Sequence, residues 1–181
     1  MGEIKILISA IDNPKHKLMV ELMYSAGLRL SELVHLKPEH IEIEKNFGWV
    51  RQGKGNKDRL FMIAKCLKQK LKDYIGINCQ TQNSWVFSGR KGRNISQRSM
   101  QEIVKKAAER AGISKNVHCH TLRHSFATHL IENGYDVLAV QHLLGHADPE
   151  TTMVYVHTAS PKMINVESPY DKIIDDMDAI V

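Results

Sequence analysis

The stretch "IEIEKNFGWVRQGKGNKDRLFMI", residues 41–63, decides the fold class because it changes the period of the chain. Apolar and polar residues alternate along it, and two turn signals interrupt them, Asn46 to Gly48 and Gly53 to Asn56. Alternation with a period of two puts successive side chains on opposite faces of a strand, and Asn/Gly punctuation lets the chain reverse. The segment therefore predicts three short antiparallel strands. On both sides of it the pattern is helical. "KHKLMVELMYSAG" (15–27) repeats apolar residues at helical spacing and stops at Gly27, and "SELVHL" (31–36) makes a short second helix ahead of Pro38. Helical spacing resumes in "AKCLKQKLKDYI" (64–75), in "SQRSMQEIVKKAAERAG" (96–112) with Ser96 as N-cap and Gly112 as stop, and in "TLRHSFATHLIENG" (121–134). Shorter helices follow in "DVLAVQHLLG" (136–145) and "ETTMVYVHT" (150–158). The expected architecture is mostly α with a small antiparallel three-stranded β-sheet, an α+β arrangement.

The composition is that of an ordinary globular domain, with 43% apolar and 25% charged residues in a chain of 181. No apolar run approaches the ~20 residues that span a bilayer, and no signal-peptide pattern opens the chain, so a cytoplasmic protein is expected. Cys66, Cys79 and Cys119 are an odd number at no metal-ligand spacing, which reads as free thiols, buried or half-buried, in a reducing compartment. The net charge of +5 is unevenly distributed. Residues 167–181 carry Glu167, Asp171, Asp175, Asp176 and Asp178 against Lys172, a balance of −4 that leaves +9 on the rest of the chain. A body of that sign suits a polyanion such as nucleic acid.

Within it, "HCHTLRHSFATHL" (118–130) concentrates four histidines around Arg123. Arg123 argues against a metal, since a guanidinium has five donors and no lone pair. His120 and His124 stand four apart, but the H-E-x-x-H pattern of a hydrolytic zinc site is absent, with Thr121 and Leu122 among the intervening residues. An anion site needs further positive charge. Arg29, in "GLRLSEL", and Lys54, at the tip of "RQGKGNKDR", sit at turns from which side chains project. His146 in "LLGHAD" and Tyr155 in "TTMVYVH" follow downstream. The loop "SGRKGRN" (88–94) mixes bases with glycines that let backbone N–H groups approach a phosphate, a solvated flexible loop being the alternative.

Taken in order, "SAGLRLSELVHL", "RQGKGNKDRLFMI", "HTLRHSFATHLIENG" and "LLGHADPETTMVYVHT" resemble the catalytic domain of the tyrosine recombinase (phage integrase) family, most closely its Xer-like branch. The resemblance runs from about residue 15 to 158. It implies that Arg29 and Arg123 clamp a phosphate, Lys54 is the hairpin lysine, His120 and His146 are active-site histidines, and Tyr155 is the nucleophile. Glu32 matches the acidic position that supports that site. Arg51 and Lys57, flanking the hairpin tip, and Arg90, Lys91 and Arg93 are the candidate further DNA contacts. The chemistry is coherent. A phosphodiester under attack gathers charge on its non-bridging oxygens, and two forked, permanently charged guanidiniums offset it as a metal ion does elsewhere. Tyr155 must lose a proton, for which His120 is the candidate acceptor, and the departing 5′ oxygen must gain one, which Lys54 supplies. His146 hydrogen-bonds the phosphate beside Tyr155. The expected function is cleavage and rejoining of double-stranded DNA through a 3′-phosphotyrosine, with no metal, no ATP and no other cofactor.

Family members usually carry an N-terminal helical domain that closes around the other face of the DNA. This chain opens "MGEIKILISAIDNP" and enters the catalytic pattern almost at once, so residues 1–166 are expected to form the catalytic domain, 167–181 a tail helix, and the N-terminal core-binding domain to be absent. Type IB topoisomerase-like relaxation of DNA and a DNA-binding remnant that does not cut remain the alternatives. In "SPYDKIIDDMDAIV" (168–181), Tyr170, Ile173, Ile174 and Met177 form an apolar stripe, extended by Ile180 and Val181, with Asp171, Asp175 and Asp178 off it. The stripe can dock on its own body or, as the resemblance implies for chains self-associated on DNA, on a neighbouring protomer. Both arrangements stay open, as does a tail that competes with DNA for the basic body.

Overall fold

The computed structural model describes residues 2–51, 58–79, 84–145 and 166–178. The helices are α1 (Gly2–Ser9), α2 (Pro14–Ser25), α3 (Leu30–Val34), α4 (Lys68–Asn78), α5 (Gln97–Arg110), α6 (Cys119–Glu132), α7 (Val137–Leu143) and α8 (Pro169–Asp178). Between α3 and α4 the period change produces the expected sheet. Strands β1 (Ile41–Glu42), β2 (Phe47–Val50) and β3 (Arg59–Met62) lie antiparallel in the order β1-β2-β3, with Ile41 opposite Gly48 and Gly48 opposite Phe61. Asn46 turns the first corner with a φ of 59°, a left-handed conformation that asparagine tolerates. The second turn signal, 53–56, and the helix expected at 150–158 lie outside the described residues.

Helix α2 is the centre of the fold. Every residue from Leu18 to Ser25 is buried, because α1, α3, α6 and α8 all pack on it. A helix enclosed on all sides must satisfy its polar groups internally. Glu21 accepts from Lys70 Nζ at 2.5 Å and from the Tyr170 hydroxyl at 2.9 Å, and the Tyr24 hydroxyl meets His129 Nδ1 at 2.8 Å. Ser96 caps α5 as expected, its Oγ accepting the Ser99 N–H at 3.0 Å. Helix α1 was not resolved by the periodicity; it buries Ile4, Leu7 and Ile8, mainly against α5 and α2.

One boundary differs from expectation for a tertiary reason. The helix expected from residue 64 begins as a 3-10 turn, Lys65–Leu67, before α4. Its first backbone N–H groups, those of Lys65 and Cys66, are taken by the Asp171 carboxylate at 3.1 and 2.9 Å. Asp171 therefore points into the body rather than away from it, while Tyr170 and Ile173 are buried and Ile174 packs partly against the core. Helix α8 thus docks on its own chain, through α2, α6 and the 3-10 turn. The Met177 side chain, Ile180 and Val181 are outside the described residues. Of the thiols, Cys119 is buried and Cys79 half-buried, but Cys66 is exposed, contrary to expectation.

Candidate active site

The site starts where α2 ends. Gly27 has a φ of 58°, and a Cβ there would stand 2.5 Å from Phe126 Cδ1, so only glycine lets the chain turn this tightly under α6. The turn delivers Arg29 to the start of α3. Glu32, one helical turn on, reaches back: its Oε2 accepts the Arg29 backbone N–H at 2.7 Å and its Oε1 accepts Arg29 Nη1 at 2.8 Å. Glu32 and Arg29 are therefore one local unit.

Arg123 arrives from α6, one turn after His120. It is 7% exposed, donates from Nη1 to the Gly27 carbonyl and from Nη2 to the Leu144 carbonyl, both at 2.5 Å, and stands 3.9 Å from Glu32. A third arginine, absent from the sequence-based set, completes the cluster. Arg59, the first residue of β3, forks onto Glu32 with Nη2 at 2.5 Å and Nε at 3.3 Å. The available signal was its register, since Arg59 shares a face with the buried Phe61 and a charge on a core-facing strand position needs a partner. Burial by itself would raise the Glu32 pKa. The charge and hydrogen bonds of Arg59, with the bonds from Arg29, outweigh it and hold Glu32 at about 2. Arg123 is lowered to about 10, first by burial and then by the positive charge of Arg59 and Arg29, against the pull of Glu32.

Arg29 is the member of the cluster that reaches solvent, its side chain 19% exposed. It lines two clefts. One, of about 750 Å³, also contains His120, Lys105 and Gln101, so the structure brings Arg29 and the exposed His120 to a common space. The other, of about 860 Å³, is bounded by Trp49, Trp85, Lys37 and Arg51. There Arg51 stacks 4.6 Å over the Trp49 ring and pairs with Asp58 at 2.5 Å, while Lys37 lies 5.7 Å over Trp85. Arg90, Lys91 and Arg93 are exposed but line neither cleft. Their loop is closed by a Ser88–Asn94 bridge and by the Gly89 N–H donating to the Arg93 carbonyl at 2.6 Å. Lys54, Lys57, His146 and Tyr155 lie outside the described residues. Among the described residues no three His, Cys, Asp or Glu side chains are grouped to hold a metal ion, and no helix is long and apolar enough to cross a membrane.

A mostly helical domain with a small sheet, bringing arginines from a helix turn, a strand and the buried face of a third helix around one carboxylate, has the fold of a tyrosine recombinase catalytic domain. The chain belongs to the phage integrase family, whose sequence pattern matches residues 2–161. It is 43% identical over 157 residues to the tyrosine recombinase XerA of Pyrococcus horikoshii, covering 84% of this chain and 54% of that protein. The crystal structure of XerA recombinase superposes with a TM-score of 0.74 at 31% identity, covering 90% of this chain and 60% of that one. XerH site-specific recombinase, in a post-cleavage complex with a palindromic difH substrate, gives 0.71 at 26% identity, covering 85% and 46%. The chain thus spans about half the length of the curated relatives it matches.

Proposed function

We propose that this chain is the catalytic domain of a site-specific DNA recombinase, which cleaves and rejoins double-stranded DNA through a 3′-phosphotyrosine at Tyr155 and needs neither metal nor ATP. The observation that carries the proposal is the buried Glu32 with Arg29, Arg59 and Arg123 around it, opening to solvent through Arg29 beside His120. Held in advance of substrate, such donors stabilise charge as it develops on phosphate oxygens without reorganising at the moment of reaction. The relative XerH, solved on its DNA after cleavage, supports the same reading. Arg29 and Arg123 bind the non-bridging oxygens, His120 takes the Tyr155 proton, Lys54 protonates the departing 5′ oxygen, and His146 steadies the phosphate. Residues 1–166 carry this chemistry. Protomers associate on the DNA.

The test is covalent capture. Incubated with a pool of nicked duplexes of randomised sequence, in the presence of chelator, the native chain should retain DNA after denaturation. Tyr155→Phe removes the nucleophile with little change in packing volume, so DNA binding should persist while the adduct disappears. A Tyr155→Phe protein that still forms the adduct, or a native chain that never does, overturns the proposal.

A further inference from the structure

Arg59 spends its whole guanidinium inside the protein. Beyond the fork onto Glu32, its Nη1 donates to the Leu143 carbonyl at 3.0 Å and to the Leu60 carbonyl at 3.2 Å. At 6% exposure it lines neither cleft beside Arg29. A buried ion pair is often no more stabilising than well-packed apolar side chains of similar volume. Stability is therefore a weak reason for an arginine here, and what it touches suggests another. Glu32 is the group that holds the backbone N–H and Nη1 of Arg29 and stands 3.9 Å from Arg123. Leu143 ends α7, and its neighbour Leu144 gives its carbonyl to Arg123. In sequence His146 follows directly after Gly145, and Lys54 lies in the 51–58 segment that leads into Arg59 at the start of β3. Gly145 records how close the approach is: its φ is 69°, and a Cβ on it would stand 2.8 Å from Arg59 Cδ.

We propose that Arg59 is a positioning residue for strand cleavage, aiming Glu32 at Arg29 and anchoring the end of α7, so that the phosphate clamp is assembled before DNA arrives. The role rests on the recombinase reading above. It has an electrostatic signature, because Arg59 is the chief counter-charge that keeps Glu32 acidic against the effect of burial. In Arg59→Gln the largest counterweight to burial is gone, so Glu32 takes up a proton at a higher pH than in the native chain. Protonation places a hydrogen on one of the two Glu32 oxygens that accept from Arg29, and so weakens that hold. Cleavage by the variant therefore falls on acidification at a higher pH than in the native chain, whose Glu32, with a pKa of about 2, stays charged until the medium is strongly acidic.

The experiment uses the full chain and a nicked duplex recovered from the native covalent adduct. Single-turnover adduct formation is followed against pH, alongside DNA affinity and thermal melting. Arg59→Gln should form the adduct on the order of 100-fold more slowly, the scale of a small misplacement of reacting groups, with affinity within a few-fold of native and a new acidic fall in rate. Arg59→Lys restores the charge but not the fork, so it should recover the native pH profile and only part of the rate. It also carries the test if Arg59→Gln does not fold. Adduct formation by either folded variant at the native rate, or a loss equal to the unfolded fraction, overturns the positioning role alone. Failure of the native chain to form any adduct overturns the recombinase reading first, and this role with it.

Discussion

Arg29 is where the buried cluster meets solvent, and the division of labour around it can be separated residue by residue. Its Nη1 and backbone N–H are fixed by Glu32, and its position on both clefts gives an incoming phosphate access to the guanidinium. In the proposed mechanism Lys54 serves a different atom, the departing 5′ oxygen. A 5′-bridging phosphorothiolate has a sulfur leaving group that departs without an acid, so Lys54→Ala should be slow on an ordinary phosphodiester and recover on the sulfur substrate. Arg29→Ala should lose on the order of 100-fold or more on both, because the charge on the non-bridging oxygens is unchanged by the sulfur. Equal slowness of Lys54→Ala on the two substrates would remove the general-acid role and leave Lys54 as a phosphate contact.

At the scale of elements, the tail helix is held by a polar latch as much as by its apolar face. Asp171 satisfies two N–H groups at the start of the 3-10 turn before α4, and the Tyr170 hydroxyl reaches Glu21 in the middle of α2. A carboxylate at the N-terminus of a helical turn meets unpaired donors and a favourable dipole. Asp171→Ala should cost about 1 kcal/mol, the usual value of such a cap, read as a lower urea midpoint with faster hydrogen exchange in α8. Asp171→Asn keeps one acceptor oxygen and should lose less. An unchanged midpoint for Asp171→Ala would mean that the apolar contacts of Tyr170 and Ile173 hold α8 without the latch.

For the molecule as a whole, the question is what α8 does to DNA binding when it is docked on its own chain. The tail adds −4 beside a body of +9, for a total of +5. Phosphate neutralisation dominates affinity for DNA and depends on salt, so removing that negative charge should strengthen binding at fixed low salt and less so at high salt. A chain ending at Val166 should remain a monomer by light scattering and bind DNA more tightly than the full chain, with circular dichroism confirming that the body stays folded. Unchanged affinity would dismiss the inhibitory role. Self-association of the full chain that disappears on truncation would show the tail working between protomers instead.

The sequence alone determined what depends on near neighbours. The change of period at residue 41, the stops at Gly27, Gly112 and Gly134, the Ser96 cap and the Arg29–Glu32 pair are each set by residues within a turn or two of one another. Most of the architecture was legible in this way, as were Arg123 and His120 on one helix. Tertiary structure alone decided which group each buried charge meets across the chain. Arg59 finds the Glu32 carboxylate at 27 residues' separation and the Leu143 carbonyl at 84, and Asp171 reaches the Lys65 backbone N–H at 106. Periodicity marks a residue as buried or exposed but does not name its partner, and a buried charge is tolerated only once packing has brought that partner to it.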